Sequence, residues 1–234
     1  MILYIIFIIS IFIIIRQLYR CPNKKTVFVS GYYHTGTNWI RRLIQQNTHK
    51  VVIHNNAHKF IVNGKEIHQR KHGKLSDAIL NEDSVIIIYM IRDFDSWLKS
   101  FKNNQYEVKL KDDIVVNEND ESSDIINYGW PSGMNVYDLY CHIIETNVEL
   151  LRNSKSKYII CNLNYAQKDK GREIINILKE ANIDTNKYFS PIDQHTKSAQ
   201  KYSQNREYED IDITYYRKEE NEYIKNIPNI EYRI

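Results

Sequence analysis

The amino-acid sequence predicts an α/β protein, a three-layer sandwich around a central parallel sheet, preceded by an N-terminal membrane helix. Three observations carry that reading. Val85–Ile91 reads VIIIYMI, the continuous apolar run a strand needs when a parallel sheet buries both its faces. Short β-rich runs alternate with segments of helical spacing, the pattern of strand–helix–strand units. Residues 2–15 are almost purely apolar, interrupted only by Tyr4 and Ser10, and Arg16 and Arg20 follow them.

The N-terminal apolar run is short for a helix that must cross about 30 Å of hydrocarbon. Extension to Tyr19, with Arg16 snorkelling, makes a span feasible. A signal peptide and a buried helix are the alternatives; the first lacks a basic leader and a small-residue cleavage site. Arg16, Arg20, Lys24 and Lys25 all follow the run, which favours a cytoplasmic domain. The absence of any N-x-[ST] acceptor agrees with that side. The chain thus divides into a single-pass anchor, residues 1–20, and one α/β domain, residues 21–234, a length that supports one sizeable core.

Along the domain, residues 26–30 (TVFVS) read as a strand running into a glycine-bounded loop. Residues 39–47 have helical spacing, with Trp39, Ile40, Leu43 and Ile44 on one side. Residues 51–53 are a second strand, and 85–91 a third. Residues 94–101, 136–151 and 172–181 read as helices, and 158–163 (YIICNL) as another buried strand. Residues 106–131 are polar and acidic, an excursion or lid, and the tail after Tyr188 is polar and tyrosine-rich. With 32 basic and 29 acidic residues and a net charge of +3, the chain has no general affinity for nucleic acid, so any anion site is local. The three cysteines, Cys21, Cys141 and Cys161, match neither a disulfide frame nor a zinc pattern, and no metal is called for.

The segment 27–39, VFVSGYYHTGTNW, concentrates the chemistry. A strand ends at Ser30, a loop runs from Gly31 to Gly36, and a helix begins near Thr37. Backbone N–H groups at such a helix start attract anions, and the two glycines allow a tight turn around a phosphate. Thr35, Thr37 and Asn38 add side-chain donors. The G-x4-G-T spacing resembles a Walker A loop and makes the expected fold P-loop NTPase-like, but the lysine after the second glycine is missing. A glycine turn without a ligand is the plainer reading.

Gly31 through Trp39 resembles the 5′-phosphosulfate loop of PAPS-dependent sulfotransferases, whose usual form is Y-P-K-S-G-T-T/N-W. Thr35, Gly36, Thr37, Asn38 and Trp39 match it. His34 stands where the family has lysine, and brings full charge only when protonated. After the buried strand, Arg92 and Ser100 keep the spacing of the family's 3′-phosphate motif. Arginine offers a planar fork to a phosphate, and serine adds a hydroxyl. The family's Asn-Pro after the arginine is replaced by Asp93-Phe94. A strand-end salt bridge of Arg92 with Asp93 or Asp95 is the alternative. Asn162-Leu-Asn-Tyr165 is a weaker echo, and Arg217-Lys218-Glu219 matches the family's C-terminal R-K-G loop poorly.

Sulfuryl transfer needs a base for the acceptor's proton. Lys71-His72-Gly73 resembles a string that some members of the family carry in this interval. The resemblance implies His72 as base, with Lys71 and His34 handling leaving-group charge. His54 and His58 are rivals, and a solvated histidine-rich surface is the alternative. The implied activity is sulfuryl transfer from PAPS, without a metal, to a hydroxyl or amine acceptor (carbohydrate, protein or small molecule) that the sequence does not identify. A P-loop small-molecule kinase and a non-catalytic, membrane-tethered nucleotide-binding relative are the competing readings.

Overall fold

The computed structural model describes residues 25–49, 51–54, 58–103, 108–117, 130–131, 133–192, 212–217 and 219–234. In chain order, β1 (Thr26–Gly31) leads to α1 (Thr37–Asn47) and β2 (Val52–His54). A hairpin of β3 (Lys59–Val62) and β4 (Lys65–His68) follows, then a short α2 (Asp77–Leu80), β5 (Val85–Ile91) and α3 (Phe94–Asn103). A second hairpin, β6 (Val108–Lys111) and β7 (Ile114–Asn117), precedes α4 (Val136–Asn153) and β8 (Lys157–Asn162). The chain continues through α5 (Leu163–Lys168), α6 (Arg172–Glu180), α7 (Ile213–Tyr216), α8 (Glu222–Lys225) and β9 (Ile230–Arg233).

A central, mostly parallel five-stranded sheet runs in the order β2-β1-β5-β8-β9. β1 and β5 are buried at every residue, which is why their sequences carry no polar alternation. Side chains alternate between two apolar layers with the two-residue period of a strand. Val27, Val29, Ile86, Ile88 and Ile159 meet Ile40 and Leu43 of α1 and Ile174 of α6. Phe28, Ile87, Tyr89 and Ile160 meet Trp97 and Phe101 of α3 and Ile143 of α4. Each such large side chain contributes about 1.5–3 kcal/mol by leaving water. Helices on both faces are compatible with the α/β sandwich expected from the sequence.

The register decides where the strands stop. Gly31 of β1 lies opposite Met90, and Ile91 opposite Asn162 of β8. From β1 the chain steps out to β2, then crosses back to β5 on the other side of β1. Their following helices, α1 and α3, pack in opposite layers. The carboxyl ends of β1 and β5 therefore flank a topological switch point, the place where open α/β sheets bind ligands.

Three parts of the fold differ from the sequence expectation. β9 comes from the tyrosine-rich tail and pairs antiparallel with β8, so the sheet is not wholly parallel. It is an edge strand whose residues are partly exposed, and it carries no apolar run to announce it. The β3–β4 hairpin was hidden for the same reason, since half of β3 faces solvent. Within the polar excursion, residues 108–117 form the β6–β7 hairpin, and residues 118–129 lie outside the described residues. The expected membrane helix also lies outside the described residues, among which no helix is long and apolar enough to cross a membrane.

Candidate active site

The loop between β1 and α1 is held by a few specific constraints. Gly31 has φ +149°, and a Cβ there would stand 2.5 Å from the Met90 carbonyl oxygen and from Thr35 Oγ1. Only glycine fits that approach. The Thr35 hydroxyl and backbone N–H both donate to the Tyr32 carbonyl, at 2.7 and 3.3 Å, and the side chain is fully buried. Thr35 thus spends its hydroxyl proton inside the loop. His34 adopts a left-handed φ of 63°, a conformation that costs a non-glycine residue about 1–2 kcal/mol. Gly36, also left-handed at φ 89°, starts α1 with no side-chain cap and no acidic residue in the first turn. The helix start keeps its positive dipole end available to an anion.

The segment after β4 closes over this loop. The Gly31 N–H and the Ser30 hydroxyl both donate to the Lys71 carbonyl, at 3.2 and 2.8 Å. His72 donates from Nδ1 to the Gly31 carbonyl at 2.6 Å. A carbonyl can only accept, so the hydrogen sits on Nδ1 and the neutral ring presents a lone pair at Nε2. Tyr33 stacks on the His72 ring at 4.3 Å between centroids, and the Trp130 indole donates to the His72 carbonyl at 2.9 Å. The Trp97 indole in turn holds the Tyr33 carbonyl at 2.7 Å. The Gly31 carbonyl thus sets the tautomer, and the aromatic frame holds the ring's orientation.

Burial, the Lys71 ammonium and His34 push the His72 pKa down to about 3, against the opposing pull of the Gly31 carbonyl. Burial and the Arg41 guanidinium also lower the pKa of Lys71. The sequence reading missed Arg41. Its signal is helical spacing, since Arg41 stands one turn after Thr37, on the same side of α1.

Arg92 leaves the end of β5 and donates from Nη1 to the His34 carbonyl at 3.2 Å. That contact ties the second motif to the first. The Arg92 carbonyl accepts the Tyr140 hydroxyl of α4. Arg92 also borders a cavity of about 370 Å³ with Asp95, Tyr137, Asn162 and Arg217. Arg217, discounted from the sequence, thus shares a cavity with Arg92, and it pairs with Asp95 at 3.6 Å. Of the two carboxylates offered as alternatives, Asp93 accepts from the Asn162 amide at 2.7 Å, and Asp95 is the partner of Arg217.

The structure brings His34, Lys71, His72 and Arg92 together, whereas several of the remaining candidates point elsewhere. Ser100 is half-buried on α3, next to Phe101, whose ring meets His34 edge-on at 5.9 Å. Thr37 is buried at the start of α1 and Asn38 is exposed beside it. Trp39 turns toward the start of α6, where a Cβ on Gly171 would stand 2.9 Å from its ring. Of the rival histidines, His54 stacks on Phe60 at 4.2 Å and lies level with Phe28, below the loop. His58 lines a separate cavity. Asn162 caps α5 through its side chain, and Tyr165 donates to Glu173 at 3.0 Å, which holds it against α6.

Cationic and neutral donors thus converge on the mouth of the switch point with a deprotonated imidazole among them. The arrangement can hold a polyanion and take up a proton beside it. Comparison with protein-family models, with curated proteins and with solved structures finds no match to this chain.

Proposed function

We propose that this chain is a membrane-tethered, PAPS-dependent sulfotransferase with a P-loop-like nucleotide site. The observation that carries the reading is the convergence of His34, Lys71, His72 and Arg92 at the carboxyl ends of β1 and β5, through the Lys71–Gly31, His72–Gly31 and Arg92–His34 contacts. These residues fit a phosphosulfate by charge. The group carries several negative oxygens, and Lys71 with the Arg41 guanidinium near it brings positive charge to meet them.

In this reading PAPS supplies the activated sulfuryl group. The start of α1 and the loop 31–36 bind its 5′ end, and Arg92 with Ser100 takes the 3′-phosphate. His72 Nε2 accepts the proton of the acceptor hydroxyl or amine as the new S–O or S–N bond forms. Lys71, Arg41 and His34 stabilise the charge that develops on the departing phosphate oxygen as the old S–O bond breaks. An imidazole with a pKa of about 3 is a weak base. Bound negative charge beside Lys71 and His34 offsets their repulsion and raises that basicity.

Titration of the full chain with 3′-phosphoadenosine 5′-phosphate, beside ATP with Mg²⁺, tests the proposal. Micromolar affinity for the bisphosphate, lost in Arg92→Ala, supports it. Preference for ATP with Mg²⁺, or no binding, overturns it. A nucleotide-binding module without turnover is the second reading, favoured by His34 at the family's lysine position. Bisphosphate affinity with no transfer to a panel of hydroxyl and amine acceptors would select it.

A further inference from the structure

The loop that carries Lys71 and His72 borders a second cavity, of about 280 Å³, lined by His58, His68, Arg70 and Lys74 together with Gln69 and Ser76. Neither Lys71 nor His72 lines it, so it is separate from the transfer site while sharing its loop. Gln69 builds it. This side chain belongs to a residue only 3% exposed, and its amide donates to the Arg70 and Lys74 carbonyls at 2.9 and 3.1 Å. Its oxygen accepts the Ser76 N–H at 2.8 Å. The Ser76 hydroxyl closes on the His68 carbonyl at 3.2 Å, and the Gln69 N–H on the His58 carbonyl at 3.0 Å. The backbone of the walls is therefore shaped before any ligand arrives, which spares part of the ordering cost on binding.

Among the described residues the lining contains four basic side chains and no carboxylate. Glu66, outside the lining, pairs with His68 at 2.7 Å and Lys59 at 3.2 Å, and all three side chains are well exposed. Such pairs are screened by water and cancel little of the positive field. The permanent charges of Arg70 and Lys74 leave an oxyanion as the matching ligand. The volume is several times the roughly 30 Å³ share of one water, so it admits the anion with part of the molecule that bears it.

We propose that this cavity is an oxyanion subsite for the acceptor. It holds a phosphate, sulfate or carboxylate group while another part of the same molecule reaches His72. The assignment to an acceptor rests on the transferase reading above. His72 is one residue from Gly73 and two from Arg70, so about 7 Å of chain at most separates base and cavity wall. The acceptor class is a small or terminal unit carrying an anion within about one sugar or amino-acid length of its nucleophile.

The test uses the full chain saturated with 3′-phosphoadenosine 5′-phosphate, titrated with glucose 6-phosphate and with inorganic phosphate. Glucose 6-phosphate should bind more tightly than inorganic phosphate. Lys74→Glu should weaken it at least tenfold, and Lys74→Gln less, with bisphosphate affinity unchanged in both. Equal binding in wild type and variants removes the site. Equal affinity for the two phosphates makes it a free-ion site and overturns the acceptor assignment. If the bisphosphate does not bind wild type, the transferase reading fails separately, and titration of the nucleotide-free chain decides the cavity by the same Lys74 dependence.

Discussion

The Nδ1 proton of His72 is donated to the carbonyl oxygen of Gly31, at 2.6 Å across 41 residues of sequence. The bond joins the candidate base to the glycine at which the proposed anion loop begins. It fixes the imidazole tautomer, and it makes the base and the loop one mechanical unit with the Gly31–Lys71 and Ser30–Lys71 bonds.

Replacing His72 with alanine should separate chemistry from binding. The ring is the proposed proton acceptor, so turnover should fall by about 10²- to 10⁴-fold. Affinity for 3′-phosphoadenosine 5′-phosphate should stay within a few-fold, because the ring makes none of the proposed phosphate contacts. Transfer assays beside calorimetry check this; an unchanged rate would remove His72 from the chemistry.

The depressed pKa of His72 has a stability consequence. In the unfolded chain the imidazole titrates near 6.5, and in the folded one near 3. Between those values the unfolded state holds a proton that the folded state lacks. The contribution is fully present above pH 6.5 and is lost as pH falls toward 3. The slope is at most about 1.4 kcal/mol per pH unit. Denaturant unfolding of wild type and His72→Gln at pH 7, 6 and 5 should show a flatter profile in the variant. Parallel profiles would mean the group titrates normally.

Anion binding should raise the His72 pKa. Lys71 and His34 both lower it, and a phosphate between them reverses the sign of the local field. NMR titration of the His72 ring with and without the bisphosphate reads the change directly. A pKa that stays put would place the anion elsewhere.

Gly31→Ala should destabilise the fold by about 1–3 kcal/mol. The new Cβ would collide with the Met90 carbonyl oxygen, which belongs to the central strand and has little room to move. Chemical denaturation measures it, and full stability would show that the loop relaxes easily.

Tyr140→Phe removes the hydroxyl that holds the Arg92 carbonyl. Its loss should weaken bisphosphate binding about 2- to 10-fold, the scale of one neutral hydrogen bond. Affinity equal to wild type would show that Arg92 needs no such support.

By itself the sequence determined the parts whose signals are local. The apolar run 85–91 read as a strand covered on both faces, and the glycines at 31 and 36 as a tight turn entering a helix, and both are found. The helices 94–103, 136–153 and 172–180 were legible within a few residues from their apolar spacing. The tertiary structure alone decided the rest. The edge strand 230–233 carries no pattern, because half-exposed residues need none, and only its pairing with β8 makes it a strand. Arg41 drew no reading and Arg217 stood only in a poor match to a loop motif; folding brought one near Lys71 and the other to the cavity beside Arg92. Local burial and spacing are written into neighbouring residues. The meeting of Gly31 with His72, and of His34 with Arg92, depends on the order and register of the strands, which no short stretch of sequence encodes.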